Sequence, residues 1–350
     1  MGKPRLLYLA PQMSSFVQKD IDILESSYNV MYSGFMIKGP LSHLRAGVLQ
    51  AFFLLRFIYN TQAIVIMFGG YHAFLPSLLG KVFGKRVYII LGGTDCVSFP
   101  SIGYGTFRKK IQGRVTCLSY RLSTMLLPVH RSLIHREDTY YTIDSKFQGC
   151  KHWCRNLNTP FVEIYNGYDS DKWSKDHIVK TANSFVTIAA IPDPSKLVLK
   201  GVDIIVELAQ LFPNCQFTII GLQDQNIHVS TLPNVLILPF LPPEKLLEIL
   251  STNQFYLQLS ISEGFPNALC EAMLAQCVPI GSNVAAIPDI IGDTGFLLKK
   301  REISMLQDLV TNAIQHPNLS ELGKLARHRI STLYTIENRS QKLVDVLHGQ

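Results

Sequence analysis

The chain lacks a hydrophobic run long enough to cross a bilayer. A spanning helix needs roughly 18 or more consecutive apolar residues. The best candidate, LQAFFLLRFIY from Leu49 to Tyr59, is shorter and is interrupted by Arg56. No secretory leader is expected, since MGKPRLLYLA runs straight into what reads as a strand. The seven cysteines are scattered, odd in number and without a paired framework, which points to a reducing cytosol and a cytoplasmic protein. No internal repeat or low-complexity tract interrupts the chain. No G-x-G-x-x-G follows the first strand, where LLYLAPQMSS stands instead, so a nicotinamide dehydrogenase is a remote reading.

What is present begins with size and charge. A chain of 350 residues exceeds what one hydrophobic core usually serves, and two domains are expected. The apolar fraction of 47% is that of an ordinary folded protein. Charge divides unevenly: residues 1–168 carry 19 Lys and Arg against 8 Asp and Glu, a balance of +11, whereas residues 169–350 carry 14 against 18, a balance of −4. A basic half suits an anionic surface or substrate. GKVFGKR (Gly80 to Arg86) and FRKKIQGR (Phe107 to Arg114) supply much of it, as a solvated face or as a membrane-surface patch.

Short runs rich in Val, Ile, Leu and Tyr alternate with longer helical stretches. RLLYLA (Arg5 to Ala10), AIVIMF (Ala63 to Phe68), RVYIIL (Arg86 to Leu91) and FVEIY (Phe161 to Tyr165) read as buried strands. The pattern then restarts with FVTIAAI, QFTIIG, NVLILPF, QFYLQLS and VPIGS between Phe185 and Ser282, separated by helical segments such as GVDIIVELAQLF and PPEKLLEILST. Parallel sheets with crossover helices need this alternation. The expected fold class is α/β, with two Rossmann-like doubly wound domains, 1–168 and 169–332, facing each other across a cleft. The polar segment NGYDSDKWSKD (Asn166 to Asp176) is the seam. Ligands are expected at the carboxyl ends of the strands.

One stretch is placed to meet them. SEGFPNALCEA (Ser262 to Ala272) sets Glu263 and Glu271 eight positions apart, around a turn containing Gly264 and a helix start containing Pro266. The free amides of such a helix start favour anions. The two carboxylates accept hydrogen bonds from hydroxyls on either side. The combination suits a ligand with hydroxyls at both ends and an anion between.

These residues resemble the E-x7-E motif of the retaining glycosyltransferases of family 4, which have the GT-B fold. The resemblance runs through LKGVDIIVELAQLFPNCQFTIIG and from PNVLILPF to DTGFLL. It includes NGYD (Asn166 to Asp169) and, less closely, GYHAFLPSLLGKVFGKRVYIILGGTD in the first half. It implies that Glu271 holds the ribose of a nucleotide-sugar donor, while Glu263 and the amides from Gly264 to Asn267 hold the sugar, with Phe265, Pro266 and Ala268 among the binding residues. Lys200 then neutralises the diphosphate, Gly221 leaves room for the phosphates, and His72 stands near the sugar on the acceptor side. It further implies transfer with retention, no metal or other cofactor, and a saccharide acceptor. A polyprenyl-diphosphate-linked acceptor and an anionic membrane surface are further partners, with the protein peripheral on the inner face of the membrane; no nucleic acid is expected. The last helix, about 333–350, is expected to pack back on the first domain.

The chain departs from the family pattern in places. Ala190 stands near the position of an Arg that precedes the family's Lys, and Lys196 is the candidate substitute, although an ammonium cannot make the same planar contact. Gly92, Gly93, Thr94 and Asp95 stand where the family has His-Gly-Ser-Asp. Asp95 is therefore either an acceptor-side group or a helix N-cap, and His72 either a site residue or one satisfied by local backbone. CKHWC (Cys150 to Cys154) lacks the second ligand pair of a zinc site. LRAGVLQAFFLLRFIYN either buries against the first sheet or turns Phe52, Phe53 and Phe57 towards lipid, with Arg45 and Arg56 at the headgroups. An epimerase acting on the nucleotide sugar, or a catalytically silent partner that binds it, are the competing readings.

Overall fold

A computed structural model describes residues 2–34, 40–175, 179–223, 227–230 and 232–349, the side chains of 40–44 excepted. Asp176, the last residue of the expected seam, lies outside them. The first half contains β1 (Arg5–Ala10), α1 (Ser15–Glu25), β2 (Asn29–Gly34), α2 (Pro40–Phe57), β3 (Thr61–Met67), α3 (Tyr71–Val82), β4 (Arg86–Leu91), α4 (Lys110–Leu122) and β5 (Met125–Pro128). A short antiparallel pair, β6 (Arg136–Glu137) and β7 (Phe147–Gln148), leads to α5 (Cys150–Trp153). The second half follows with β8 (Thr181–Ile191), α6 (Ser195–Lys200), α7 (Val202–Leu211), β9 (Gln216–Leu222), β10 (Val235–Pro239), α8 (Pro243–Thr252) and β11 (Asn253–Gln258). It ends with α9 (Asn267–Leu274), β12 (Val278–Ser282), α10 (Ile287–Ile291), β13 (Phe296–Leu298), α11 (Ile303–Ile314), α12 (Leu319–Leu333) and α13 (Ile336–His348).

Two parallel sheets result, in the orders β2-β1-β3-β4-β5 and β10-β9-β8-β11-β12-β13. Leu6 to Ala10 and Ala63 to Ile66 are wholly buried, as strands covered on both faces must be. In each sheet the winding reverses once, between β1 and β3 and between β8 and β11, and the carboxyl ends flanking such a reversal leave a crevice for ligand.

Differences from the sequence reading are local. Phe161–Tyr165 is not a strand: it hydrogen-bonds β5 through Val162, Ile164 and Pro160, but only one isolated bridge, Leu126 to Phe161, forms. Strands β2, β5 and β13 escaped notice because they are short or partly polar. Helix α9 starts at Asn267, so Pro266 is its N-cap residue and not part of its first turn. Helix α2 buries one side only: Leu54, and Ile58 in the turn just after it, are buried, and Phe53 and Phe57 pack partly against the core, while Phe52 is exposed.

The expected absence of cysteine pairing does not hold. Cys117 of α4 and Cys154, just after α5, form a disulfide across a sequence separation of 37 residues. Sequence spacing carries no trace of it, because α4 and α5 are brought together by packing. The pairing counts against the inference of a reducing compartment, and it removes Cys154 from any zinc set with Cys150.

Helix α13 returns to the first sheet. Its Arg339 guanidinium meets the Asp20 carboxylate of α1 at 2.7 and 2.9 Å, and Tyr88 of β4 donates to the Val346 carbonyl. Tyr168 exchanges backbone hydrogen bonds with the chain at Tyr334 and Ile336, so two strands of chain cross between the halves side by side.

Candidate functional site

The crevice of the second sheet is built from the ends of β8 and β11. β11 stops at Gln258, and the chain turns through Ser260–Pro266 into α9. Glu263 leaves that turn towards α6, where Lys200 Nζ donates to its Oε1 at 2.7 Å; buried Gln258 adds a longer bond of 3.3 Å to the same oxygen. Burial alone would push the Lys200 ammonium pKa down, but the Glu263 charge, its hydrogen bond and Tyr104 together outweigh it, and the net shift is upward. An ammonium and a carboxylate thus hold each other at the mouth of α9, both partly open to solvent.

Lys196 lies one turn before Lys200 on α6, its Nζ 5.2 Å from the centre of the Tyr104 ring. Tyr104 belongs to the first half and hydrogen-bonds Thr94 at 2.7 Å. Ala190 is exposed at the end of β8. Gly221, at φ 115°, sits so tightly against the Ala189 carbonyl that any β-carbon would collide with it, which gives this glycine a packing role between β8 and β9. Glu271 lies farther along α9. Burial lifts its carboxyl to about 7, and Lys19 of α1, on the opposite wall, opposes that rise.

Several residues expected to touch a ligand are occupied otherwise. The Phe265 ring is buried among Tyr165, Tyr168, His130 and Tyr334, so only its backbone remains available. Gly264 is not an opening for a ligand: a β-carbon there would strike the Gly92 carbonyl, and Gly93 packs on the Gly264 amide. The Asn267 side chain accepts hydrogen bonds from Tyr168 at 2.7 Å and Asn166 at 3.1 Å, which fixes the tip of α9 to the crossing chain. Ala268 is partly exposed beside it, in the first turn whose amides have no helical partner.

The first-half crevice holds a cavity of about 280 Å³ lined by Pro11, Phe68, Gly69, Tyr71, His72 and Gln112, among others. His72 Nε2 lies 2.9 Å from the Met67 carbonyl and donates to it in the neutral ring; burial holds the imidazole pKa below its usual value. Phe68 adopts φ 67°, an uncommon conformation for a bulky residue and one that tends to mark functional positions. Asp95 lines the cavity but is not free to meet an acceptor. Its carboxylate accepts the amides of Gly69, Gly92 and Gly93 and the Tyr120 hydroxyl, all between 2.8 and 3.2 Å. It is thus neither an N-cap nor a ligand group but the anchor of two glycine loops.

Three cleft residues escaped the sequence reading. Lys19 and Tyr104 look unremarkable in sequence. Arg136 is buried, with Nη2 3.4 Å from Ser262 Oγ and an ion pair of 3.8 Å to Asp138, while its Nε and Nη1 lack partners among the described residues. Only the fold places it behind the Glu263 turn. Among the described residues, no three His, Cys, Asp or Glu side chains gather as a metal site would need.

Residues 195–329 match the family model described as glycosyl transferases group 1. No curated protein matches the chain. Among solved structures, sucrose-phosphate synthase from Thermosynechococcus elongatus superposes with a TM-score of 0.76 at 11% identity, covering 99% of each chain. HepE of Anabaena in complex with UDP and glucose gives 0.72 at 14% identity, over 99% of this chain and 100% of the other. A glycosyltransferase from Rickettsia africae gives 0.68 at 12% identity, over 100% and 99%. At such identities the likeness establishes the GT-B fold, and the matched segment on that fold supports a glycosyltransferase.

Proposed function

We propose that the chain moves a hexose or hexosamine from a nucleoside diphosphate sugar to a saccharide hydroxyl, with retention of anomeric configuration and without a metal ion. The observation that carries this reading is the Lys200–Glu263 pair at the tip of α9. Glu271 accepts the ribose hydroxyls, and the first-turn amides and Glu263 take the sugar hydroxyls. Lys200 turns from Glu263 to the diphosphate, where negative charge grows as the glycosidic bond breaks. The acceptor hydroxyl enters from the cavity beside His72, attacks on the face the nucleotide leaves, and passes its proton to the departing phosphate. The neutral His72 ring orients the sugar without adding a charge. That HepE is seen with UDP and glucose supports a nucleotide sugar as donor.

The acceptor we propose is a saccharide carried on a polyprenyl diphosphate, in surface polysaccharide or glycoconjugate synthesis, met by an enzyme peripheral to the membrane. The exposed Ala190, in place of a second diphosphate-binding cation, favours one other reading: a silent nucleotide-sugar-binding partner.

Thermal-shift measurements with UDP, GDP, ADP, CMP and their sugars, with and without EDTA, test donor binding, because a ligand stabilises the native state according to its affinity. At least one nucleoside diphosphate raises Tm, with or without EDTA. No response to any nucleotide ends the proposal. Donor turnover that survives in both Glu263→Gln and Lys200→Ala assigns the chemistry elsewhere, and binding with no turnover supports the silent partner.

A further inference from the structure

Helix α2 leaves an unusual surface to solvent. Val48, Leu49, Phe52 and Leu55, with Tyr59 in the turn that follows, are each more than half exposed and recur at three- and four-residue steps along one side. The stripe continues onto the end of α3: Tyr59 packs edge-on against Phe83 at 5.1 Å, and the neighbouring Val82 is 68% exposed. An apolar band of this kind, unbroken by carboxylates, is not ordinary soluble surface.

Its charge is one-sided. Between Ser26 and Arg136 the only acid is Asp95, buried on its glycine amides, against thirteen lysines and arginines. Arg45 and Arg56 are exposed on α2 beside the apolar stripe. Lys81 adjoins Val82, and Lys85 reaches the Tyr59 carbonyl at 2.8 Å. Helix α3 packs between α2 and α4, and α4 exposes Ile111 with Arg108, Lys109, Lys110 and Arg114 around it.

The geometry points to this face as a docking surface for an anionic lipid bilayer, with the aromatic and aliphatic side chains entering the headgroup region and the flanking cations meeting lipid phosphates. Such a combination of apolar insertion and basic rim is what interfacial binding needs. A second copy of the chain is the poorer occupant, since a self-complementary contact would press two basic faces together. The face also adjoins the acceptor cavity. Gln50, buried on α2, donates to the His72 carbonyl at 2.7 Å, and Tyr71 and Gln112, at the starts of α3 and α4, line the cavity. Docking therefore presents the cavity to a saccharide whose lipid anchor lies in the same surface. Docking does not rest on the proposed reaction; only its link to the acceptor does.

Flotation with vesicles in the absence of any nucleotide tests it. The purified protein floats with phosphatidylcholine vesicles containing about one third phosphatidylglycerol at low salt and is released from them at about 1 M NaCl, where charge is screened within a few ångströms. It remains soluble with phosphatidylcholine alone. Leu49→Glu with Phe52→Glu, and separately Arg45→Gln with Arg56→Gln and Lys81→Gln, lower the vesicle-bound ratio roughly tenfold by removing insertion or attraction. Both leave Tm and the thermal shift by UDP unchanged, which keeps a failure of docking distinct from a failure of donor binding. Three results overturn the inference: wild-type protein that stays soluble with the anionic vesicles at low salt, variants that float as well as wild type, or a dimer in solution that Phe52→Glu splits into monomers.

Discussion

Lys19 of α1 and Glu271 of α9 face each other from opposite walls of the groove, each charge opposing the effect of burial on the other. Burial dominates on both sides: it lowers the Lys19 ammonium pKa and raises that of the Glu271 carboxyl to about 7. Glu271 therefore changes charge near neutrality, at the residue proposed to accept ribose hydroxyls.

Nucleotide affinity should rise with pH across that transition. UDP titrations between pH 5.5 and 8.5 are expected to show tighter binding above pH 7, where the carboxylate is formed, and Glu271→Gln should flatten the profile. The same shift has a sign for stability. A carboxyl raised from 4.5 to about 7 contributes stability that is present below 4.5 and lost as pH rises through 7. Glu271→Gln should thus be more stable than wild type at pH 8, by on the order of 3 kcal/mol at most, and similar to it at pH 4. Urea unfolding at both pH values measures the difference, and a variant less stable at pH 8 contradicts it.

Lys200→Met leaves the Glu263 carboxylate with Gln258 as its remaining side-chain partner. The expected loss of stability is about 1–3 kcal/mol, from a half-buried charge deprived of its partner. Donor turnover should fall further, by roughly a hundredfold or more, if the ammonium meets charge that develops as the bond breaks. Comparing the change in kcat with the change in Tm separates the two effects.

Gly264→Ala tests the contact between the halves. Its methyl group would collide with the Gly92 carbonyl, so the two walls must separate or the turn must distort. UDP affinity, which depends on the second half, should change little, whereas transfer to an acceptor collapses. Small-angle scattering should show a larger radius of gyration in the variant; an unchanged radius with normal transfer counts against the contact.

Asp95→Ala strips two buried glycine amides, one part-buried glycine amide and one tyrosine hydroxyl of their acceptor. With each unmet group costing about 1–3 kcal/mol, the first domain should be severely destabilised. Asp95→Asn, which keeps one acceptor oxygen, should lie between. A Tm series over wild type, Asn and Ala in that order checks the anchoring role.

Much of the architecture was legible because strands buried on both faces must be continuously apolar, and β1, β4 and β12 match their quoted runs residue for residue. Edge strands such as β2 and β13 carry no such signal. Of the proposed site residues, spacing and resemblance single out Glu263, Glu271 and Lys200, and the structure pairs Lys200 of α6 with Glu263 just before α9, which carries Glu271. Gly264 and Asp95 differ from their sequence reading for a common reason: sequence shows that a glycine or a carboxylate is present, but not which neighbour it meets. Gly264 meets Gly92 from the first half of the chain, and Asp95 ties its adjacent glycines to Gly69 and Tyr120. Lys19, Tyr104 and Arg136 carry no sequence signal for the converse reason, since each is an ordinary residue made notable by a partner from a distant part of the chain or by burial.

The Arg339–Asp20 contact has a bearing on how the protein is made. Asp20 is buried on the first helix, where the Tyr8 hydroxyl donates to it, and its cation arrives only with the last helix of the chain. A ribosome that has finished the first sheet has yet to deliver the guanidinium that pairs with this buried carboxylate. The N-terminal half should accordingly remain loosely assembled until translation is nearly over, and its final consolidation should be among the latest events of folding.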